Sequence, residues 1–187
     1  MKEELSKAVA VLKSGGILLY PTDTIWGIGC DATNARAVEK IYKIKGRRKS
    51  SSFIVLLDKV DRINDYVNQV PDILWDLIKS FDFPTTIIYP NAKNLAKNVI
   101  ASDGSIAIRI IREGFAHEMI KQFGKPVVST SANFSGEPSP IMFKDISGDV
   151  IDRMDYVVES DRKNVRVTKP STIIKLKPNG EFDVIRD

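Results

Sequence analysis

The chain is poor in the residues that most metal and redox chemistry needs. Its 187 residues include one cysteine, Cys30, and one histidine, His117. A single cysteine excludes an internal disulfide and a cysteine-only metal cage, and a single histidine argues against a zinc ion held by several imidazoles. No metal ligands are therefore assigned. No apolar run reaches the roughly 18 residues that a membrane span requires. The opening MKEELSKAV carries charges at helical spacing and lacks the apolar centre of a secretory signal, so the expected location is cytoplasmic, with no membrane partner. A G-x-x-x-x-G-K-[ST] motif is missing, which excludes a P-loop, and the two glycines of WGIGCDA fail the third position of a dinucleotide fingerprint. Ser131 lies in TSANFSG, which is no nucleophile elbow, and His117 falls in a helical pattern between Phe115 and Met119. A Ser-His-Asp hydrolase is poorly supported.

Excess charge is also small. There are 28 Lys and Arg against 24 Asp and Glu, a net charge of +4, which permits an anionic partner such as a nucleotide or RNA without demanding one. What is present in quantity is core: 43% of residues are hydrophobic, ample for one domain of this length, and the 28% that are charged are mixed in sign.

Leu5, Ala8, Val9 and Leu12 recur at helical spacing before Gly15-Gly16, and Ala35, Val38, Ile41 and Tyr42 do so between an N-cap at Thr33 or Asn34 and Gly46. Pro71 opens a third helix burying Ile73, Leu74, Leu77 and Ile78. A further helix carries Phe115, Met119, Ile120 and Phe123 up to Gly124, and a weak one lies near 143–151. ILLYP, FIVLL, TTIIY, SIAIRI, PVVST, YVVES, STIIKL and FDVIRD read as strands. Helices and strands alternate through the first two-thirds and strands dominate the end. The expectation is an α/β fold with a mixed sheet, one domain over residues 1–187.

Three polar segments interrupt this frame. YPTDTIWGIG leaves a strand through two threonines and an aspartate, more than a plain turn needs. KIKGRRKSSS places Lys45, Arg47, Arg48 and Lys49 at a helix end with Ser50, Ser51 and Ser52 behind them; cations there suit the helix dipole, and guanidinium forks beside hydroxyls suit phosphate oxygens. STSANFSGEPSP follows a strand, where open α/β sheets bind ligands. Ser171 and Thr172 add a third hydroxyl pair. Arg109 sits inside an apolar strand on the face of Ala107, with Ile108 and Ile110 on the other face, and an arginine so placed needs an anion. Together these describe a cavity of hydroxyls, an amide and arginines that places anions and attacks nothing.

Those segments, YPTDTIWGIGCDATN, IYKIKGRRKSSSFIVLL, SIAIRI, STSANFSGEPSP and KPSTIIKL, resemble in order and spacing the YrdC-type threonylcarbamoyl-AMP synthases, over roughly residues 3–176. The resemblance implies a twisted mixed sheet with a basic concave face. It implies joining of L-threonine, bicarbonate or carbon dioxide, and ATP carrying Mg2+, with release of pyrophosphate. The product would go to a separate transferase that modifies tRNA beside the anticodon, and the resemblance admits tRNA as a partner of this chain itself. Carried over by position, Lys45 and Arg47 match the phosphate grip and are assigned the catalytic role. Thr24, Leu56, Arg109 and Ser171 match threonine contacts, Leu56 in place of a polar residue. Arg47, Ser51, Ser105, Ser129, Ser131, Asn133 and Ser139 match ATP contacts. Trp26 stands for a usual tyrosine. Ser51-Ser52 replaces Lys-Pro, leaving Arg48 or Lys49 to supply the lost charge. FPTT departs from the usual step before the central strand, and no proline follows Arg109. Two other readings remain open: a tRNA or double-stranded RNA-binding module without chemistry, and a paralogue with a different substrate.

Overall fold

Leu5, Ala8, Val9 and Leu12 are all buried on one side of α1 (Lys2–Lys13), as their spacing requires. The computed structural model describes residues 1–46, 53–68, 70–163, 170–177 and 181–186, with backbone only at Ile73. After α1 come β1 (Leu18–Pro21), β2 (Trp26–Gly29), α2 (Ala35–Lys45) and β3 (Ile54–Leu57). A 3₁₀ turn at Val60–Arg62 runs into α3 (Ile63–Tyr66), followed by α4 (Ile73–Ser80), β4 (Thr85–Tyr89), β5 (Ile106–Ile110), α5 (Gly114–Phe123) and β6 (Val127–Ser131). A 3₁₀ turn at Phe143–Asp145, α6 (Gly148–Ile151), β7 (Tyr156–Val157), β8 (Thr172–Leu176) and β9 (Phe182–Arg186) complete the order.

The nine strands form one sheet in the order β7-β1-β2-β6-β3-β5-β4-β8-β9. It is mixed: β1–β7, β3–β5 and β4–β8 are parallel, and the other pairs antiparallel. Helices α1 and α5 pack on each other and on β1, and α5 reaches β3. Among the described residues no helix is long and apolar enough to cross a membrane.

Local chemistry accounts for the element ends. Asn34 is the N-cap of α2, its Oδ1 accepting from the backbone N–H groups of Arg36 and Ala37, and Gly46 ends the helix in the left-handed region at φ 59°. The buried stripe of α2 is Ala37, Val38, Ile41, Tyr42 and Lys45, while Ala35 is exposed in the first turn. The helix expected from Pro71 starts two residues later, because Pro71 and Asp72 form the turn that leads in, with Leu74 N–H donating to Pro71 O at 2.9 Å. The weak helix near 143–151 divides into the 3₁₀ turn and α6.

The glycines of WGIG answer to close approach. A Cβ on Gly29 would run into the carbonyl of Val128 and lie 2.7 Å from Cε1 of Tyr20, whose hydroxyl donates to the same carbonyl at 3.2 Å. Gly29→Ala is expected to cost about 2 kcal/mol through overpacking and to lower the melting temperature by about 5 °C, readable by circular dichroism.

Candidate anion-binding active site

The register of the sheet sorts its continuous apolar strands into two faces. Ile88, Ala107, Ile54 and Ser129 are neighbours across β4, β5, β3 and β6, and Ile173, Thr86, Arg109 and Leu56 form the adjacent row on the same face. Ile174, Ile87, Ile108, Val55 and Val128 form a row on the other face. The first face carries a cavity of about 290 Å3. Its polar lining includes Thr24, Arg109, Ser129, Ser139, Ser171 and Arg186, and among the described residues none of its lining side chains is acidic. Such a lining favours anions. Trp26 closes part of the wall and is fixed by Phe143, the ring centroids 4.9 Å apart. Gly27 also lines the cavity; a Cβ there would sit 3.0 Å from Ser129 Oγ.

The Thr-Asp-Thr loop is held by its own hydroxyls. Thr22 Oγ1 donates to Ile25 O at 2.7 Å, accepts from Thr24 N–H at 3.1 Å, and lies 3.1 Å from Thr24 Oγ1. This turn presents Thr24 and sets Asp23 beside β5. Asp23 Oδ1 is 3.1 Å from Arg109 Nη2, so the anion that a buried Arg109 requires is supplied within the chain. The pairing is incomplete: Arg109 is only 5% exposed, and its Nε and Asp23 Oδ1 are both buried without a hydrogen-bond partner. Orphaned buried atoms of this kind cost about 1–3 kcal/mol each, and an anion in the cavity would relieve the one on Nε.

Ser171 is placed from two sides. Its Oγ lies 2.8 Å from Thr86 Oγ1, and its carbonyl accepts from Arg186 Nε and Nη2 at 3.2 and 2.7 Å. Burial, and after it the neighbouring Arg109 charge, push the Arg186 guanidinium below the ordinary arginine value. Two arginines thus converge on one cavity. Arg186 had no role in the sequence reading, although the signal that singled out Arg109, an arginine within an apolar strand, is present in FDVIRD.

Lys45 has a different environment from the one expected of a phosphate grip. It is 3% exposed, and its Nζ donates to Ser131 O at 2.6 Å, Asn133 O at 2.7 Å and Asn133 Oδ1 at 3.1 Å. Asn133 Oδ1 also accepts from Ser131 Oγ at 2.5 Å, and Asn133 Nδ2 donates to Glu137 O at 2.5 Å. An ammonium has three donors, and here three acceptors of one loop take them. Lys45 and Asn133 therefore brace the loop that carries Ser131 and Ser139 and do not themselves line the cavity.

Of the positions singled out in the sequence, the structure brings Thr24, Arg109, Ser129, Ser131, Ser139 and Ser171 to one cavity. Leu56 shares the row of Arg109 but is fully buried and does not line the cavity. Ser105 also lies off the lining, its N–H and Oγ donating to Asp103 Oδ1 at 3.0 and 2.6 Å. Arg47 and Ser51, with Arg48 and Lys49, lie outside the described residues. Cys30 is buried, and burial pushes its thiol well above the ordinary range, which removes it as a nucleophile. No group of three or more His, Cys, Asp or Glu side chains among the described residues is placed to hold a metal.

Residues 10–187 match the Sua5–YciO–YrdC family model, described as telomere recombination. The chain belongs to the Sua5–YciO–YrdC family. It is 31% identical over 172 residues to the threonylcarbamoyl-AMP synthase of Pseudoalteromonas translucida, covering 90% of this chain and 91% of that one. The mouse threonylcarbamoyl-AMP synthase is 30% identical over 190 residues, 98% of this chain but 66% of its own length. Two solved family folds superpose with TM-scores of 0.86. P. abyssi Sua5 complexed with L-threonine is 24% identical and covers 94% of this chain, which spans 52% of that longer protein. E. coli YciO is 21% identical, with 100% and 90% covered. The Sua5–YciO–YrdC fold is thus the mixed α/β sheet described above.

Proposed function

We propose that this chain is an L-threonylcarbamoyladenylate synthase, a nucleotidyltransferase acting on ATP, L-threonine and bicarbonate or carbon dioxide. The observation that carries the reading is Arg109: a buried guanidinium with an unsatisfied Nε, lining a cavity of hydroxyls that holds no carboxylate. The names of relatives about 30% identical over nearly the whole chain agree with it.

In this reading the carboxylate of threonine sits on Arg109, with Thr24 and Ser171 beside it. The threonine nitrogen bonds to the carbon of carbon dioxide and loses a proton, giving a carbamate. A carbamate oxygen then bonds to the α-phosphorus of ATP as the bond to pyrophosphate breaks. No side chain needs to act as nucleophile. The obstacle is mutual repulsion of carboxylate, carbamate and triphosphate, about 4 kcal/mol for each pair at 4 Å and an effective dielectric near 20. Arg109 and Arg186 offset part of it, Arg47 is assigned to the phosphates, and Ser129, Ser131 and Ser139 hydrogen-bond the nucleotide. With no acidic side chain in the described lining, the residues present do not form a magnesium cage; the ion would ride on the phosphates of ATP and neutralise their charge. Lys45, Asn133 and Ser105 act here as positioning residues, and Leu56 backs Arg109. The product, a mixed anhydride, would pass to a tRNA-modifying transferase.

Purified protein with ATP, bicarbonate and L-threonine is expected to release pyrophosphate, with release falling at least tenfold when threonine is omitted. Release that ignores threonine would remove the substrate assignment. No release, together with RNA binding that falls steeply with salt, would favour the binding-module reading instead.

A further inference from the structure

We propose that Asp23 sets the carboxylate affinity of the site: it is the resident counter-ion of Arg109, which competes with the incoming carboxylate and so governs how tightly the cavity takes it. The inference rests on the function proposed above, in which Arg109 receives the amino-acid carboxylate.

A guanidinium that is 95% buried needs its charge matched before any ligand arrives. Asp23 matches it from 3.1 Å through Nη2 alone, and the pair falls short of a hydrogen bond, since Asp23 Oδ1 and Arg109 Nε are both left without one. A well-built structural pair would use the planar fork in two parallel bonds. This one leaves Nε unsatisfied, as a site does when its full partner is a ligand. A carboxylate that docks on Nε must then share the guanidinium with Asp23, and the two anions repel. No acidic side chain among the described residues lines the cavity itself, so the opposition comes from Asp23, which reaches Arg109 from outside that lining.

Asp23 also has somewhere to go. It lines a second cavity of about 330 Å3 bounded by Ile108 and Ile110 of the opposite sheet face, where Arg112, Asp82 and Glu113 are the other charged groups. Its carboxylate therefore stands at the partition between the two faces, 19% exposed, with room to turn from Arg109 as a ligand arrives. The backbone on either side does not depend on it, because Thr22 Oγ1 closes the turn. A neutral side chain at this position should leave the loop in place.

The test is calorimetric titration of L-threonine and of acetate into the full chain and into Asp23→Asn and Asp23→Glu. Asp23→Asn is expected to bind both carboxylates about tenfold more tightly, because one repelling charge is gone. Asp23→Glu should return both affinities to within twofold of the parent, as charge and not shape is the cause. If Asp23→Asn melts too early to titrate, Asp23→Ser replaces it with the same expected direction. A threonine affinity that is unchanged or weaker in the neutral variant overturns the inference, since Asp23 would then merely orient Arg109. Pyrophosphate release by the unaltered chain is measured alongside. Threonine-independent release defeats the proposed reaction while the acetate titration still decides the role of Asp23.

Discussion

Arg109→Ala is expected to weaken L-threonine binding by about a hundredfold or more while ATP binding changes by less than tenfold. Truncating one partner of a buried, hydrogen-bonding charge typically costs 2–5 kcal/mol, and each 1.4 kcal/mol is a factor of ten. Part of any loss reflects Asp23, which the substitution leaves as a largely buried carboxylate without the Arg109 charge beside it. The double variant Arg109→Ala/Asp23→Asn separates the two effects. It should recover thermal stability relative to the single variant without recovering threonine binding. Threonine and ATP titrations together with melting curves supply the readouts. Equal losses of affinity for both ligands would contradict the placement of the amino acid on Arg109.

Lys45→Met, by contrast, is expected to act first on stability. The substitution keeps a long side chain but removes the donor from Ser131 O, Asn133 O and Asn133 Oδ1. Ser131 O keeps the Asn133 N–H and Asn133 Oδ1 keeps the Ser131 hydroxyl, so Asn133 O is the acceptor left without a donor, and with the lost ammonium bonds the cost is about 2 kcal/mol. That corresponds to a fall in melting temperature of about 6 °C for a domain of this size. Activity measured below the transition should show a raised KM for ATP, as the loop carrying Ser131 and Ser139 loosens. A drop in kcat with an unchanged melting curve would instead mean that the Lys45 ammonium works on the phosphates directly, the role its motif suggested.

The two residues differ in how legible they were. Arg109 was conspicuous because a cation within SIAIRI violates the pattern of a buried strand, and the alternation of side chains fixes which face it takes. Lys45 was equally conspicuous within Lys-Gly-Arg-Arg-Lys, but a charge run at a helix end does not say which members face solvent. The α2 stripe decides that: Lys45 follows Ile41 and Tyr42 on the buried side, four and three residues on, and so its ammonium enters the protein and meets the 131–133 loop. Asp23 lay in full view between two threonines. Its role depends on β5 running beside the turn, a contact between residues 86 positions apart.

Composition and pattern alone determined that this chain builds an α/β layer, that one cysteine and one histidine are too few for a disulfide or a zinc ion held by several imidazoles, and that hydroxyls and arginines gather on and after its strands. Those are local properties, set by periodicity and by the few conformations open to the backbone. Which hydroxyls share a cavity, that Arg186 joins Arg109 there, and that Leu56 lies off its lining were decided only by the pairing of β6, β3, β5, β4, β8 and β9. Strand order and register bring together residues from opposite ends of the sequence, and no single stretch encodes its partners.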